Sequence, residues 1–136
     1  MQYIPQAAPF VMIGEIIQAD EQQTTTTFRI PEDNLFVSEG YFTEPGLIEN
    51  MAQTAAAGTG YRAAQAEAPP PVGFIGQIKQ LEILQLPKAG ELITTTTTNV
   101  HQVMNAFIVN GEIRCGETLM ARAEYKIFLQ EGNQQV

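Results

Sequence analysis

One stretch limits what this chain can fold into: GLIENMAQTAAAGTGYRAAQAEA, residues 46–68, with Pro45 ahead of it and Pro69, Pro70 and Pro71 behind. Proline fits the first turn of a helix and stops a helix at its end, so these prolines bracket one helix of roughly 20 residues, about 30 Å long. Between Pro45 and Tyr61 the only charged residue is Glu49, set among Leu47, Ile48, Met51, Ala52, Ala55, Ala56 and Ala57. A helix apolar nearly all round is a buried helix. No other segment reads as a convincing helix, so its cover has to be sheet.

The flanking sequence supplies strands. PFVMIGEIIQAD and QQTTTTFRI predict two before the helix. EDNLFVSEGYFTE, residues 32–44, mixes turn formers with aromatics without a period and predicts a structured loop of the kind that often carries function. After the prolines, VGFIGQIKQLEILQL, LITTTTTNVHQV, AFIVNGEIR and TLMARAEYKIFL read as strands, with turns at PKAGE and CGE. In the last of these, Leu119, Ala121, Ala123, Tyr125, Ile127 and Leu129 alternate with Thr118, Met120, Arg122, Glu124, Lys126 and Phe128, and this period of two predicts one packed face. The runs Thr24–Thr27 and Thr94–Thr98 are expected to be exposed strand surface, because Thr is a good strand former whose hydroxyl tolerates water. The expectation is an α+β chain, one domain over residues 1–136, in which a curved antiparallel sheet wraps a single helix.

Composition removes several function classes. The 136 residues suffice for a core without disulfide or metal staples. Seven basic against fifteen acidic side chains, a formal charge of −8, speak against nucleic-acid binding, which needs a basic surface. One cysteine, Cys115, and one histidine, His101, permit neither an internal disulfide nor a zinc site of the usual ligand count within one subunit, and predict a reducing, cytoplasmic setting. The N-terminus has no signal-peptide pattern, and no apolar run is long enough to span a membrane. GxSxG, P-loop and GxGxxG strings are absent.

Within the helix, Glu49 has two readings. Desolvation raises a carboxyl pKa and suits acid or base chemistry, whereas a first-turn carboxylate is favoured by the helix dipole and stays ordinary and partly wet. Gln53, four residues on, shares its face and is placed to hold the carboxylate. Asn50 and Thr54 form a second polar pair at the same spacing. Gly46, at the helix start, offers an N–H that could polarise a carbonyl. His101 reads as a surface residue on a polar strand, and Cys115 as a structural thiol in a turn.

Four ordered segments carry a resemblance. PFVMIGEII, ENMAQ at Glu49–Gln53, GFIGQIKQLEILQLPKAGELI and RCGETLMARAEYKIF resemble the opening strand, the helix signature Glu-x-Met-Ala-Gln, the strand–turn–strand and the closing hairpin of the hotdog-fold 3-hydroxyacyl-acyl-carrier-protein dehydratases, over nearly the whole chain. The resemblance implies a hotdog fold, subunits joined edge to edge, and an acyl chain on the phosphopantetheine of acyl carrier protein or coenzyme A entering at the interface, with no other cofactor. It implies catalysis by a loop His and the helix Glu, contributed by different subunits. Glu49 matches that Glu, while the family's Gly-His-Phe is here Gly40, Tyr41 and Phe42, so Tyr41 stands where the His belongs. An ordinary phenol ionises near pH 10 against about 6.5 for imidazole, making Tyr41 a proton or hydrogen-bond donor rather than a base. Gly46, Gln53, Phe42 and Gly76 are implied as substrate contacts.

Two accounts follow: a dehydratase-like lyase of acyl thioesters using Glu49 with Tyr41, with a thioesterase on the same scaffold beside it; or a non-catalytic hotdog subunit that binds acyl chains or pairs with an active homologue. A homodimer or higher homo-oligomer is predicted, because a lone sheet leaves an exposed strand edge. Docking of an acidic carrier protein would require Arg62, Lys79, Lys88 and Arg122 to gather near the tunnel.

Overall fold

The computed structural model describes residues 3, 4, 6–69 and 72–130. The helix, α1, runs Glu44–Gln65, beginning two residues before the predicted start. Pro45 lies in its first turn, where a missing N–H leaves no helical bond unmade. The chain then tightens: Ala66 N–H reaches the carbonyls of Arg62 and Ala63, and Ala68 N–H that of Ala63, so the helix has ended before Pro69. Pro70 and Pro71 lie outside the described residues.

Among the described residues there are eight strands: β1 Glu15–Ala19, β2 Gln23–Arg29, β3 Val37–Ser38, β4 Tyr41–Phe42, β5 Val72–Ile83, β6 Leu92–Val103, β7 Ala106–Cys115 and β8 Thr118–Gln130. β3 and β4 make a small hairpin in the predicted loop. The other six form one antiparallel sheet in the order β1-β2-β6-β7-β8-β5, so β5 is an edge. The helix packs across β1, β2, β5, β6 and β7, and the sheet curls around it as expected. In β8 the alternation holds over residues 121–125, with Ala121, Ala123 and Tyr125 buried and Arg122 exposed, but Met120, expected on the other face, is buried as well. No described helix is long and apolar enough to cross a membrane.

Two expectations are corrected. PFVMIGEIIQAD is a strand only from Glu15; ahead of it, Gly14 N–H bonds Thr27 C=O, and the backbone at Phe10 and Met12 is held by side chains of α1. The threonine runs are not exposed surface. β2 and β6 are neighbours in register, Thr24 opposite Thr97 and Thr26 opposite Thr95, and these four side chains are buried against the helix. The cause lies in α1, whose buried face carries Asn50 and Thr54. Thr26 Oγ1 and Thr54 Oγ1 are 2.8 Å apart, Thr95 Oγ1 donates to Asn50 Oδ1, and Asn50 Nδ2 donates to Met12 C=O at 2.7 Å. A buried polar face needs partners, and threonine supplies them without leaving β conformation.

Asn50→Ala strands both the Met12 carbonyl and the Thr95 hydroxyl. We expect it to cost about 3 kcal/mol in urea unfolding, against less than about 0.5 kcal/mol for Thr94→Val, whose side chain makes no such bond.

Candidate active site

The site is assembled around the first two turns of α1. Just before it, the β3–β4 hairpin turns at Glu39 and Gly40, both at positive φ (52° and 84°), and is pinned to the turn before β6: Phe42 N–H donates to Pro87 C=O and Ala89 N–H to Gly40 C=O. Strand alternation then sends Tyr41 and Phe42 opposite ways. Phe42 is fully buried, tilted against Phe28 at 5.8 Å between ring centroids, and lies under Gly46, where any Cβ would overlap its ring. Tyr41 points outward beside Lys88, 41% exposed, and its hydroxyl has no hydrogen-bond partner among the described residues.

Gly46 is therefore small because Phe42 packs there, and its N–H already donates to Thr43 C=O at 2.9 Å. That bond takes up the group expected to polarise a carbonyl. Phe42 lies in the core of this chain, 0% exposed. Gly76 sits at a bulge in β5 with the Phe128 ring over it, a cross-strand packing role.

Glu49 is half-buried. Its Oε2 accepts a hydrogen bond from Gln53 Nε2 at 2.9 Å, so the spacing of four residues makes the contact expected of it. Gln53, 1% exposed, also donates to Phe10 C=O at 2.9 Å and accepts from Met12 N–H at 2.7 Å through Oε1. Asn50 and Thr54 stay apart from this pair, on the face toward β2 and β6. The residue that sequence reasoning missed is Tyr125. Its hydroxyl donates to Ile48 C=O at 2.7 Å, and burial, together with the charge of nearby Glu49, pushes its phenol well above the ordinary range. The alternation in β8 turned Tyr125 inward, yet no pattern signals that an inward hydroxyl meets the residue before Glu49.

His101 does not join the site. It is exposed on β6, six residues beyond Thr95, and so roughly 20 Å along the strand from the level of Asn50 at about 3.3 Å per residue. Cys115 is part-buried, and burial, then the charge of Glu91, push its thiol up, which disfavours the thiolate that a nucleophile needs. The four basic residues scatter. Arg62 bonds Asp20 C=O at the far end of α1, Lys88 flanks Tyr41, Lys79 lies on β5 opposite Glu124, and Arg122 pairs with Glu82 on the face away from the helix. A cavity of about 740 Å³ on that outer face, lined by residues such as Thr96, Asn110, Glu112 and Arg122, does not reach Glu49.

The sequence profile of the ApeP-like family, described as ApeP dehydratase, matches residues 1–136. The chain belongs to the ApeP-like family. Among solved structures, this ApeP-like chain is similar to the dehydratase heterocomplex ApeI:P from Xenorhabdus doucetiae, with a TM-score of 0.87, 17% identity, and 96% of this chain and 90% of that one covered. It is also similar to a hypothetical thioesterase with coenzyme A from Streptococcus pneumoniae TIGR4 (TM-score 0.69, 15% identity, 85% and 84% covered). A third is the E. coli PaaI protein from the phenylacetic acid degradation operon (0.68, 17%, 84% and 81%). These likenesses establish the hotdog fold for the ApeP-like chain. Comparison with curated protein sequences gave no match.

Tyr125 also makes stability depend on pH. Its phenol ionises at higher pH folded than unfolded, where the value is about 10. The contribution is therefore complete below about pH 10 and is lost as pH rises from there through the folded value. Urea unfolding at pH 8 and pH 11 should show a steeper loss for the native sequence than for Tyr125→Phe, which at pH 8 costs about 1 kcal/mol for its hydrogen bond to Ile48.

Proposed function

We infer that this ApeP-like chain is a dehydratase-like subunit acting on 3-hydroxyacyl thioesters, with Glu49 as its acid/base group. The observation that supports this best is the half-buried Glu49 carboxylate, tethered among the described residues through one oxygen only, at the start of a helix with no other charge in its first half beyond the initial Glu44. In the reaction a proton leaves C2, which the thioester carbonyl acidifies, and hydroxide leaves C3 as water; the product is a 2-enoyl thioester. Glu49 exchanges a proton with the substrate through its untethered oxygen.

The second group is the difficulty, since the only histidine lies far from Glu49 and Tyr41 occupies the place where the resemblance expects the loop histidine. Two features favour a partner as its source. Among the described residues β5 pairs on one side only and exposes Phe74, Leu81 and Leu84 in or beside it, and the structural neighbour ApeI:P is described as a dehydratase heterocomplex. In the mechanism that the family resemblance implies, the His and the Glu of one site come from different subunits. A heteromer would then have two unlike sites: Glu49 facing the imidazole of a homologue, and Tyr41 facing that homologue's carboxylate. A homodimer would place Tyr41 opposite Glu49. The scattered basic residues favour a coenzyme A thioester over an acidic carrier protein wherever this chain alone forms the docking surface.

The test is mass spectrometry of 3-hydroxyacyl and 2-enoyl thioesters, on coenzyme A and on carrier protein, incubated with the chain alone and with a hotdog homologue that carries the loop histidine. Loss or gain of water is expected with the homologue present, falling at least about 100-fold for Glu49→Gln. Equal turnover by the chain alone would assign the second role to Tyr41. Release of free acid would make it a thioesterase, and turnover with the homologue that survives Glu49→Gln would leave this chain a non-catalytic partner.

A further inference from the structure

The Gln53 side chain has no donor left for a substrate. A carboxamide carries two N–H donors and one oxygen. Here both donors are engaged, one with Phe10 C=O and one with Glu49 Oε2, and the oxygen accepts Met12 N–H. The amide cannot be turned over, because Met12 N–H requires the oxygen and Phe10 C=O requires the nitrogen. The backbone it grips is itself fixed, since Asn50 Nδ2 holds Met12 C=O and Gly14 N–H is bonded to Thr27 C=O.

We propose that Gln53 is a positioning residue, which anchors Glu49 Oε2 to the Phe10–Met12 backbone and so reserves Oε1 as the oxygen that moves the proton. A free glutamate side chain turns about its last bond and presents either oxygen. Tethering one of them takes that freedom away before substrate arrives, and tethering it to backbone ties the carboxylate to the sheet as well as to its own helix. Tyr125 assists from the opposite side: its hydroxyl grips Ile48 C=O, so the backbone just before Glu49 is held from β8 while the side chain is held from residues 10–12. The assignment of Oε1 to chemistry rests on the dehydratase reading, whereas the tether itself does not.

Two measurements separate them. The first uses the Gln53 side-chain amide in NMR. Its two Nε2 protons should be inequivalent and slow to exchange with solvent, and one should shift as pH carries Glu49 through its titration; in Glu49→Ala that proton should lose its protection. Protons that ignore both pH and Glu49→Ala would overturn the tether, whatever the reaction. The second is kinetic, on the complex that shows thioester turnover, with Gln53→Met, a near-isosteric side chain that donates nothing. A positioning role lowers kcat by about 10- to 100-fold and leaves KM within about twofold. A rise in KM at unchanged kcat would make Gln53 a substrate ligand and overturn the proposal. Should Gln53→Met fail to fold, the amide measurement on the native sequence and on Glu49→Ala decides it. Absence of any turnover with a persistent tether would count against the dehydratase reading alone.

Discussion

The backbone around Met12 runs beside the helix without a strand to pair with, and its polar groups are satisfied by helix side chains: Gln53 takes the N–H of Met12 and Asn50 its C=O. An unpaired buried amide costs about 1–3 kcal/mol, so this requirement dictates much of what surrounds it. Asn50 and Thr54, on the helix face toward β2 and β6, in turn call for polar partners from the sheet, and Thr95 and Thr26 supply them. Thr24 and Thr97 are buried opposite each other on the same inward face, so the sheet under this part of the helix is threonine where an ordinary sheet would present valine or isoleucine. The apolar core accordingly divides. A larger part gathers around Phe28, Phe42, Leu47, Met51 and Ile93, and a smaller one around Ile4, Ile13 and Ala57.

The same arrangement serves the candidate site. Gln53 is part of the folding solution and also the ligand of Glu49, so the carboxylate is oriented by groups that the fold must keep in place for its own stability. Orientation then comes without a separate supporting network. Its cost is sensitivity, since disturbance of residues 10–12 is transmitted directly to the helix.

The coarse architecture was legible in the sequence because it follows from strong local signals. The prolines placed the helix start within two residues, and β-branched and alternating runs located β6 to β8. The spacing of four also placed Gln53 on Glu49. What was not legible depends on pairing between distant segments. Nothing in TTTT says which face is covered until the register of β2 with β6 and the polar side of α1 are both known. The same holds for Phe10–Met12, which has strand composition but is claimed by side chains instead of a ladder. Tyr125 near Glu49, and the N–H of Gly46 already taken by Thr43, are likewise facts of three-dimensional proximity.

The exposed edge has a shape of its own. β5 is bulged twice against β8, between Ile75 and Gln77 and between Lys79 and Glu82, and Gln80 in the second bulge sits at φ 54° although it is not glycine. A bulge bends a strand and breaks the even spacing of its outward N–H and C=O groups. A flat, regular strand from an unrelated or misfolded chain therefore finds only short runs to bind, and the edge resists the stacking by which open sheets grow into fibres. A partner whose own edge carried matching interruptions would meet no such obstacle, so the same irregularity that blocks indiscriminate pairing leaves a selective one open.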